Sequence, residues 1–342
     1  MQITITGGAG YIGSAACAHL LARGHTVTVF DALVYGAESL LAFAHHPRFR
    51  LLVGDVRDTA LLGDAFECAD AILHLAAIVG EPACQIDEST AWSVNVEGVR
   101  SALEAYRRSS AGRFLFVSTC SNYGIATETI ATEETALNPL SLYARSKVEA
   151  ERLVLAEGRE ACIFRFGTIC GLSPRMRFDL LLNDLARAAA KGRPMSLFAP
   201  EAWRPMLDIH DAARAIETYF SAEPCVDRHR LFNVVTENIR KGDLFDLVRR
   251  HFPDAPINIA ERATDPRDYR VSGDRIAQEL GYRPVGSLEQ TFLSVAQSVL
   301  VGSFRQPFWE GHAAVPLDES RLLYRPAVSA KTENTLVAAN DR

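Results

Sequence analysis

The chain has 342 residues, 48% of them hydrophobic and 23% charged, enough for more than one structural unit around a sizeable core. Its formal net charge of −6 argues against a nucleic-acid binder, which needs a basic patch or stripe. No apolar run approaches the ~20 residues that span a bilayer. Seven cysteines without close pairing suggest neither a disulfide framework nor a metal site. With no leader-like start, this predicts a cytoplasmic protein working in a reducing compartment.

Along the first half, short apolar or β-branched runs alternate with helical patterns. Gln2 to Thr6 reads as a strand, Tyr11 to Arg23 as a helix, and His25 to Phe30 as a second strand ending at Asp31. Arg50 to Val53, Ala71 to Leu75 and Arg113 to Ser118 are further strands, with Thr90 to Ser109 helical between the last two. A long helix from about Ser141 to Ala156 precedes a strand at Ile163 to Phe166. The alternation predicts an α/β fold: a Rossmann-type, doubly wound parallel sheet.

After Phe166 the character changes. Four arginines precede a strand at Met195 to Phe198, and Pro174, Pro194, Pro200 and Pro205 punctuate the stretch. We expect residues 1–166 to form the Rossmann domain, with 206–235 returning to it. Residues 167–205 and 236–310 are expected to build a smaller C-terminal α/β substrate lobe, and 311–342 a tail.

The first motif is Thr6-Gly7-Gly8-Ala9-Gly10-Tyr11-Ile12-Gly13, between a strand and a helix. Glycine serves such a turn because positive φ is cheap and no Cβ blocks an incoming diphosphate, which the helix N-terminus attracts. Asp31, at the end of the second strand, can accept both ribose hydroxyls and repels a 2′-phosphate, so NAD is predicted over NADP. Asp55 suits either an adenine contact or a helix N-cap.

The second motif is Tyr143-Ala144-Arg145-Ser146-Lys147, which puts a phenol and an ammonium one turn apart on one helix face. A phenol titrates near 10, and a neighbouring cation favours its ionised form.

These motifs, with Asp55-Val56, His74-Leu75-Ala76-Ala77, Asn95, Ser118 to Gly124, Arg204, Ile209 to Arg214 and Gly281 to Pro284, resemble one family in order and spacing. It is the extended short-chain dehydrogenase/reductases, in the branch of nucleotide-sugar epimerases and dehydratases, and the likeness covers about residues 1–300. It implies Tyr143 as acid/base, Lys147 as the residue that holds the nicotinamide ribose and tunes Tyr143, and Thr119 as a hydroxyl against the reacting group. Gly7, Gly10, Tyr11, Ile12, Gly13, Asp31, Asp55, Val56, Leu75, Ala76, Ala77, Asn95 and Lys147 would hold NAD, Asn95 being otherwise a helix N-cap. Ser121, Asn122, Arg175, Arg177, Arg204, Arg262 and Arg267 would hold a nucleotide-diphosphate sugar. Homodimers in the family form through two long helices per subunit, for which Thr90 to Ser109 and Ser141 to Ala156 are candidates.

Three departures bear on the reaction. The family's 4,6-dehydratases carry Asp-Glu after the threonine, where this chain has Cys120-Ser121. A serine hydroxyl is a poor general acid. Thr168 and Cys170, and Asp208, also depart from the family pattern and bear on the sugar. The expectation is therefore a 4-epimerase working through a transient 4-keto sugar. A dehydratase, decarboxylase or oxidoreductase of the same family is the alternative, and a non-catalytic NAD-binding regulator a remote one.

Overall fold

The computed structural model describes residues 1–223, 231–259 and 267–304. In chain order, the first stretch runs β1 (Gln2–Thr6), α1 (Tyr11–Ala22), β2 (Thr26–Asp31), β3 (Phe49–Val53), α2 (Thr59–Phe66) and β4 (Ala71–His74). It continues with α3 (Glu81–Ile86), α4 (Glu88–Trp92), α5 (Gly98–Arg108), β5 (Arg113–Thr119), β6 (Ile125–Ala131), α6 (Leu142–Leu155) and β7 (Ala161–Phe166). Then come β8 (Thr168–Cys170), α7 (Leu181–Ala190), β9 (Met195–Leu197), β10 (Trp203–Asp208) and α8 (Ile209–Ser221). The remainder is β11 (Leu231–Val234), β12 (Glu237–Arg240), α9 (Lys241–His251), β13 (Ile257–Ile259), β14 (Asp268–Val271), α10 (Asp274–Leu280) and α11 (Leu288–Leu300).

Seven strands form one parallel sheet in the order β11-β7-β5-β4-β1-β2-β3. Its central strands are buried on both faces: all six residues of β7 and the first six of β5 are covered, Arg113, Ser118 and Arg165 among mostly apolar neighbours, as a sheet flanked by helices on both sides requires. The order reverses between β1 and β4, so the cleft of a doubly wound sheet opens there, beyond the carboxyl ends of the strands. This is the Rossmann-type α/β fold that the strand–helix alternation predicts.

The rest of the chain builds smaller sheets around the carboxyl edge. β8, β10 and β12 form one, β9 pairs with β13, and β6 pairs with β14. Segment 206–235 divides its allegiance. The end of β10 pairs with β8 in the small sheet, whereas α8 packs on α1 and β11 takes the edge of the main sheet. The tail 311–342 and Arg262 lie outside the described residues.

The expected helix Thr90 to Ser109 is interrupted. α4 passes into a π-helical turn, Ser93–Glu97, before α5 begins. Such bulges re-aim one side chain, here Asn95. Its amide accepts from the Ile78 N–H at 2.8 Å and donates to the Ile78 carbonyl at 3.0 Å and to Ser146 Oγ at 3.1 Å. Asn95 thus ties the loop after β4 to α6, and caps neither helix.

Candidate active site

A cleft of about 1270 Å³ lies above the switch point between β1 and β4. Its floor is the glycine turn. Gly7 has φ +74°, and a Cβ there would come within 2.6 Å of Ala76 N; at Gly13 a Cβ would stand 2.3 Å from the Gly7 carbonyl oxygen. The turn can therefore be this tight only without side chains. α1 starts at Gly10 with no side-chain cap, leaving its first N–H groups and the positive end of its dipole facing the cleft. That is a cradle for a diphosphate, and the residues fit NAD.

Asp31 supports the same fit. Its carboxylate lines the cleft while accepting from Ala9 N at 2.9 Å and Leu33 N at 2.8 Å, which leaves lone pairs for ribose hydroxyls. Burial raises its pKa, and those two backbone bonds oppose the rise. Asp55 lines the cleft in a bidentate pair with Arg57 (2.6 Å at the closer contact). The N-cap of α2 is instead Asp58, which accepts from Ala60 N and Leu61 N.

The Tyr–Lys pair rides on α6. The hydroxyl of Ser141 caps this helix by accepting from Ala144 N, and the Glu81 carboxylate accepts from Leu142 N and Tyr143 N, each at 3.3 Å. Lys147 is buried and donates to the Val117 carbonyl at 3.0 Å, with its ammonium 4.6 Å from the Phe116 ring centre. Burial lowers the Lys147 pKa to about 8, against the opposing charge of Glu151. Burial also raises the Tyr143 phenol above its ordinary range, helped by Cys84 and opposed by Arg177.

Thr119 closes β5 in an extended conformation, and Cys120–Tyr123 then turn as a single 3₁₀ helix that sends successive side chains to different sides. Thr119 and Ser121 line the cleft. Ser118, Cys120 and Asn122 turn into the interior: Ser118 and Asn122 donate to Glu151, and the Cys120 thiol donates to the Arg165 carbonyl at 3.3 Å. Burial pushes the Cys120 thiol far above its ordinary range, so it is inert. Asn122, placed among the substrate contacts by resemblance, is instead fully buried and donates to Glu151 and Ser118, away from the cleft.

Arg175, Arg177, Arg204 and Arg267 line the cleft, as do Gly10, Tyr11, Ile12, Val56, Leu75, Ala76 and Ala77. The Tyr11 side chain is buried, however, donating to the Gly171 carbonyl at 2.6 Å. Arg204 donates to the Arg267 carbonyl, and Arg267 reaches Ser121 Oγ at 3.3 Å. Of the departures that bear on the sugar, Thr168 lines the cleft. Cys170 is core, and Asp208 is the buried N-cap of α8, accepting from Thr291 Oγ1 at 2.6 Å.

Glu81, Tyr35 and Lys241 also line the cleft and escape sequence reasoning. An acidic residue before Pro82 does signal a helix start, which is the role that could have revealed Glu81. Tyr35 and Lys241 carry no local signature.

A model of the NAD dependent epimerase/dehydratase family matches residues 3–234. The chain is similar to a UDP-glucose 4-epimerase from Lactobacillus helveticus, at 28% identity over 73% of this chain and 77% of that protein. It is 31% identical to a dTDP-glucose 4,6-dehydratase from Mycolicibacterium smegmatis, over 83% of this chain and 88% of that one. Among solved structures it resembles a UDP-glucuronic acid 4-epimerase from Bacillus cereus in complex with UDP-glucuronic acid and NAD (TM-score 0.78, 22% identity, 87% of this chain and 99% of that). A dTDP-glucose 4,6-dehydratase from Streptomyces venezuelae is likewise similar (TM-score 0.79, 24% identity, 90% of this chain and 100% of that). The fold, the glycine cradle and the matched family model agree: this chain belongs to the NAD dependent epimerase/dehydratase family, and its cofactor is NAD.

Proposed function

We propose that the protein is a 4-epimerase of a nucleotide-diphosphate sugar. The observation that carries the reading is the content of the cleft at the end of β5: Thr119 and Ser121 face it, Tyr143 and Lys147 join them, and the position after Thr119 is a buried thiol. That set suits proton exchange at one sugar hydroxyl and supplies no carboxyl from the two positions where the family's dehydratases carry theirs.

When bound, NAD supplies reversible hydride acceptance. The chain's own part is to hold the sugar and move one proton. Thr119 Oγ1, which accepts from Ser121 N at 3.1 Å, still has its own proton to donate, and it can orient the sugar hydroxyl. Tyr143 takes that hydroxyl's proton and returns it once the keto sugar has turned over. Lys147, held against Val117, keeps its ammonium 6.0 Å from the centre of the Tyr143 ring, and a cation there favours the ionised phenol against the burial that raises its pKa. A cleft of about 1270 Å³ leaves room for the turn. Arg204, Arg267 and Lys241 supply positive charge for the sugar nucleotide's diphosphate.

One observation favours a dehydratase instead, namely the Glu81 carboxylate at the cleft wall. Both its oxygens accept N–H groups of α6, which fits a capping role better than an acid/base one. A homodimer remains part of our reading, since Trp92 and Leu155, on the candidate helices, are exposed.

The test is proton NMR of the purified protein with a panel of UDP-, dTDP-, GDP- and CDP-sugars and no added reductant. Inverted C4 couplings at unchanged mass are expected. Loss of water or carbon dioxide from the sugar overturns the epimerase reading.

A further inference from the structure

The loop 171–179, between β8 and α7, is fastened to the first turn of α1. Ser173 Oγ donates to the Tyr11 carbonyl at 2.6 Å and lies 3.0 Å from Ser14 Oγ, which in turn accepts from Arg175 N at 3.3 Å. The Tyr11 hydroxyl donates to the Gly171 carbonyl, and Asn183 closes the knot by accepting from Gly171 N and donating to Tyr11 Oη. All these anchors on α1 belong to the turn whose free N–H groups form the diphosphate cradle. A side chain carried by this loop into the cleft is therefore delivered to the dinucleotide end of it.

Arg175 is that side chain. It is 7% exposed, lines the cleft, and has its guanidinium carbon 5.0 Å from the centre of the Tyr35 ring. Tyr35 lines the cleft four residues after Asp31, past a turn in which Leu33 adopts φ +53° and donates to the Asp31 carboxylate. Backbone strain of this kind is tolerated where the surrounding structure holds it for a purpose. Arginine and tyrosine so meet at the cleft, one carried by the loop fastened to α1 and the other by the chain that follows Asp31. Of the other cleft cations, Arg177 shares this loop but is paired with Asp179, Arg187 and Arg193 lie on and just after α7, Lys147 is on α6, and Arg204, Lys241 and Arg267 stand on β10, on α9 and before β14.

We propose that the 171–179 loop is a cofactor clasp, in which Arg175, stacked on Tyr35, binds the diphosphate of NAD and not that of the sugar nucleotide. The chemistry is that of a planar, bidentate donor on a phosphate, placed where the helix dipole already favours an anion. Burial lowers the Arg175 pKa, and an anion beside it works in the opposite direction. This reassignment rests on the NAD placement argued above and takes Arg175 out of the substrate set.

Calorimetry separates the two diphosphates. NAD is titrated into the wild type, Arg175→Gln, Arg175→Lys and Ser173→Ala, and so is whichever of UDP, dTDP, GDP and CDP the wild type binds. Arg175→Gln is expected to weaken NAD by roughly tenfold or more, the usual loss for a hydrogen bond to a charged group, with the nucleoside diphosphate unchanged. Arg175→Lys should fall between, and Ser173→Ala, which keeps the charge and loosens the fastening, should weaken NAD as well. Unchanged NAD affinity in Arg175→Gln, or loss of the nucleoside diphosphate in its place, overturns the clasp. Should Arg175→Gln not fold, the same two results in Arg175→Lys and Ser173→Ala decide. A wild type that binds no NAD overturns the placement itself, and is distinct from both.

Discussion

The Lys147 ammonium donates to the Val117 carbonyl at 3.0 Å, which joins the helix of the Tyr–Lys pair to the strand that ends in Thr119. Three residues distant in sequence thereby keep one geometry. Behind them, Glu151, one turn after Lys147, accepts from Ser118, Asn122 and Arg165, and Arg165 continues to Tyr123 at 2.9 Å.

Replacing Tyr143 by Phe removes the proton exchange and leaves the packing of the ring. Turnover is expected to fall by about 10²–10⁴-fold, the range for a lost general acid/base, while NAD affinity stays unchanged. Steady-state kinetics with calorimetry on the same preparation checks both halves of the statement.

Lys147 titrates near pH 8 in the cofactor-free protein, below its unfolded value of roughly 10.5. Above about pH 8 the folded chain sheds this proton while the unfolded chain keeps it, so this group alone makes stability rise with pH until the unfolded lysine titrates. Its charge, and with it the contact to the nicotinamide ribose that we propose for it, is lost over the same window. NAD affinity should therefore weaken between pH 7 and 9 in the wild type, and Lys147→Met should bind more weakly without that dependence.

His74 carries an acid-sensitive part of the stability. It is fully buried, shares a hydrogen bond with Thr6 Oγ1, and burial, then the charge of Lys147, lowers its pKa to about 3. Below the unfolded value near 6.5 the unfolded chain gains a proton that the folded one refuses, so stability falls as pH drops from about 6.5 towards 3, by up to ~1.4 kcal/mol per unit. Denaturant titrations at pH 6.5 and 4.5 should show a smaller loss in His74→Asn than in the wild type.

The Glu151–Arg165 pair is buried on both sides, with 2.6 Å between the closest charged atoms. Removing one partner strands the other charge: Glu151→Ala should cost about 3–5 kcal/mol of stability, and the double variant Glu151→Met with Arg165→Met markedly less than the sum. Additive losses in a denaturant series would count against a coupled pair.

Gly13 tests the cradle. A Cβ there meets backbone on two sides, at Gly7 O and at Gly8 Cα (2.6 Å), with no flexible side chain to yield. Gly13→Ala is expected to lose about 1–3 kcal/mol by overpacking and most of its NAD affinity. Binding at the wild-type level would mean that the turn need not be this tight.

The parallel sheet, the glycine turn, Asp31 and the Tyr–Lys face were legible in the sequence because each is local. Strand and helix periodicities differ, a tight turn demands glycine, and residues at i and i+4 share a helix face. Asn122 shows where a local reading stops. The resemblance put it with Ser121 in the sugar pocket, and only the 3₁₀ turn Cys120–Tyr123 after β5 decided that the two side chains part company. Asn95 is similar, since a π-helical turn and not a cap determines what it holds. Glu81, Tyr35 and Lys241 enter the cleft from elements with no chemical signature of their own. By itself, then, the sequence determined the α/β class and the chemistry that the chain carries. Where Arg175 stands is settled by long-range packing of loop 171–179 on α1, because contacts between residues some 160 positions apart depend on how whole elements dock and leave no pattern in neighbouring residues.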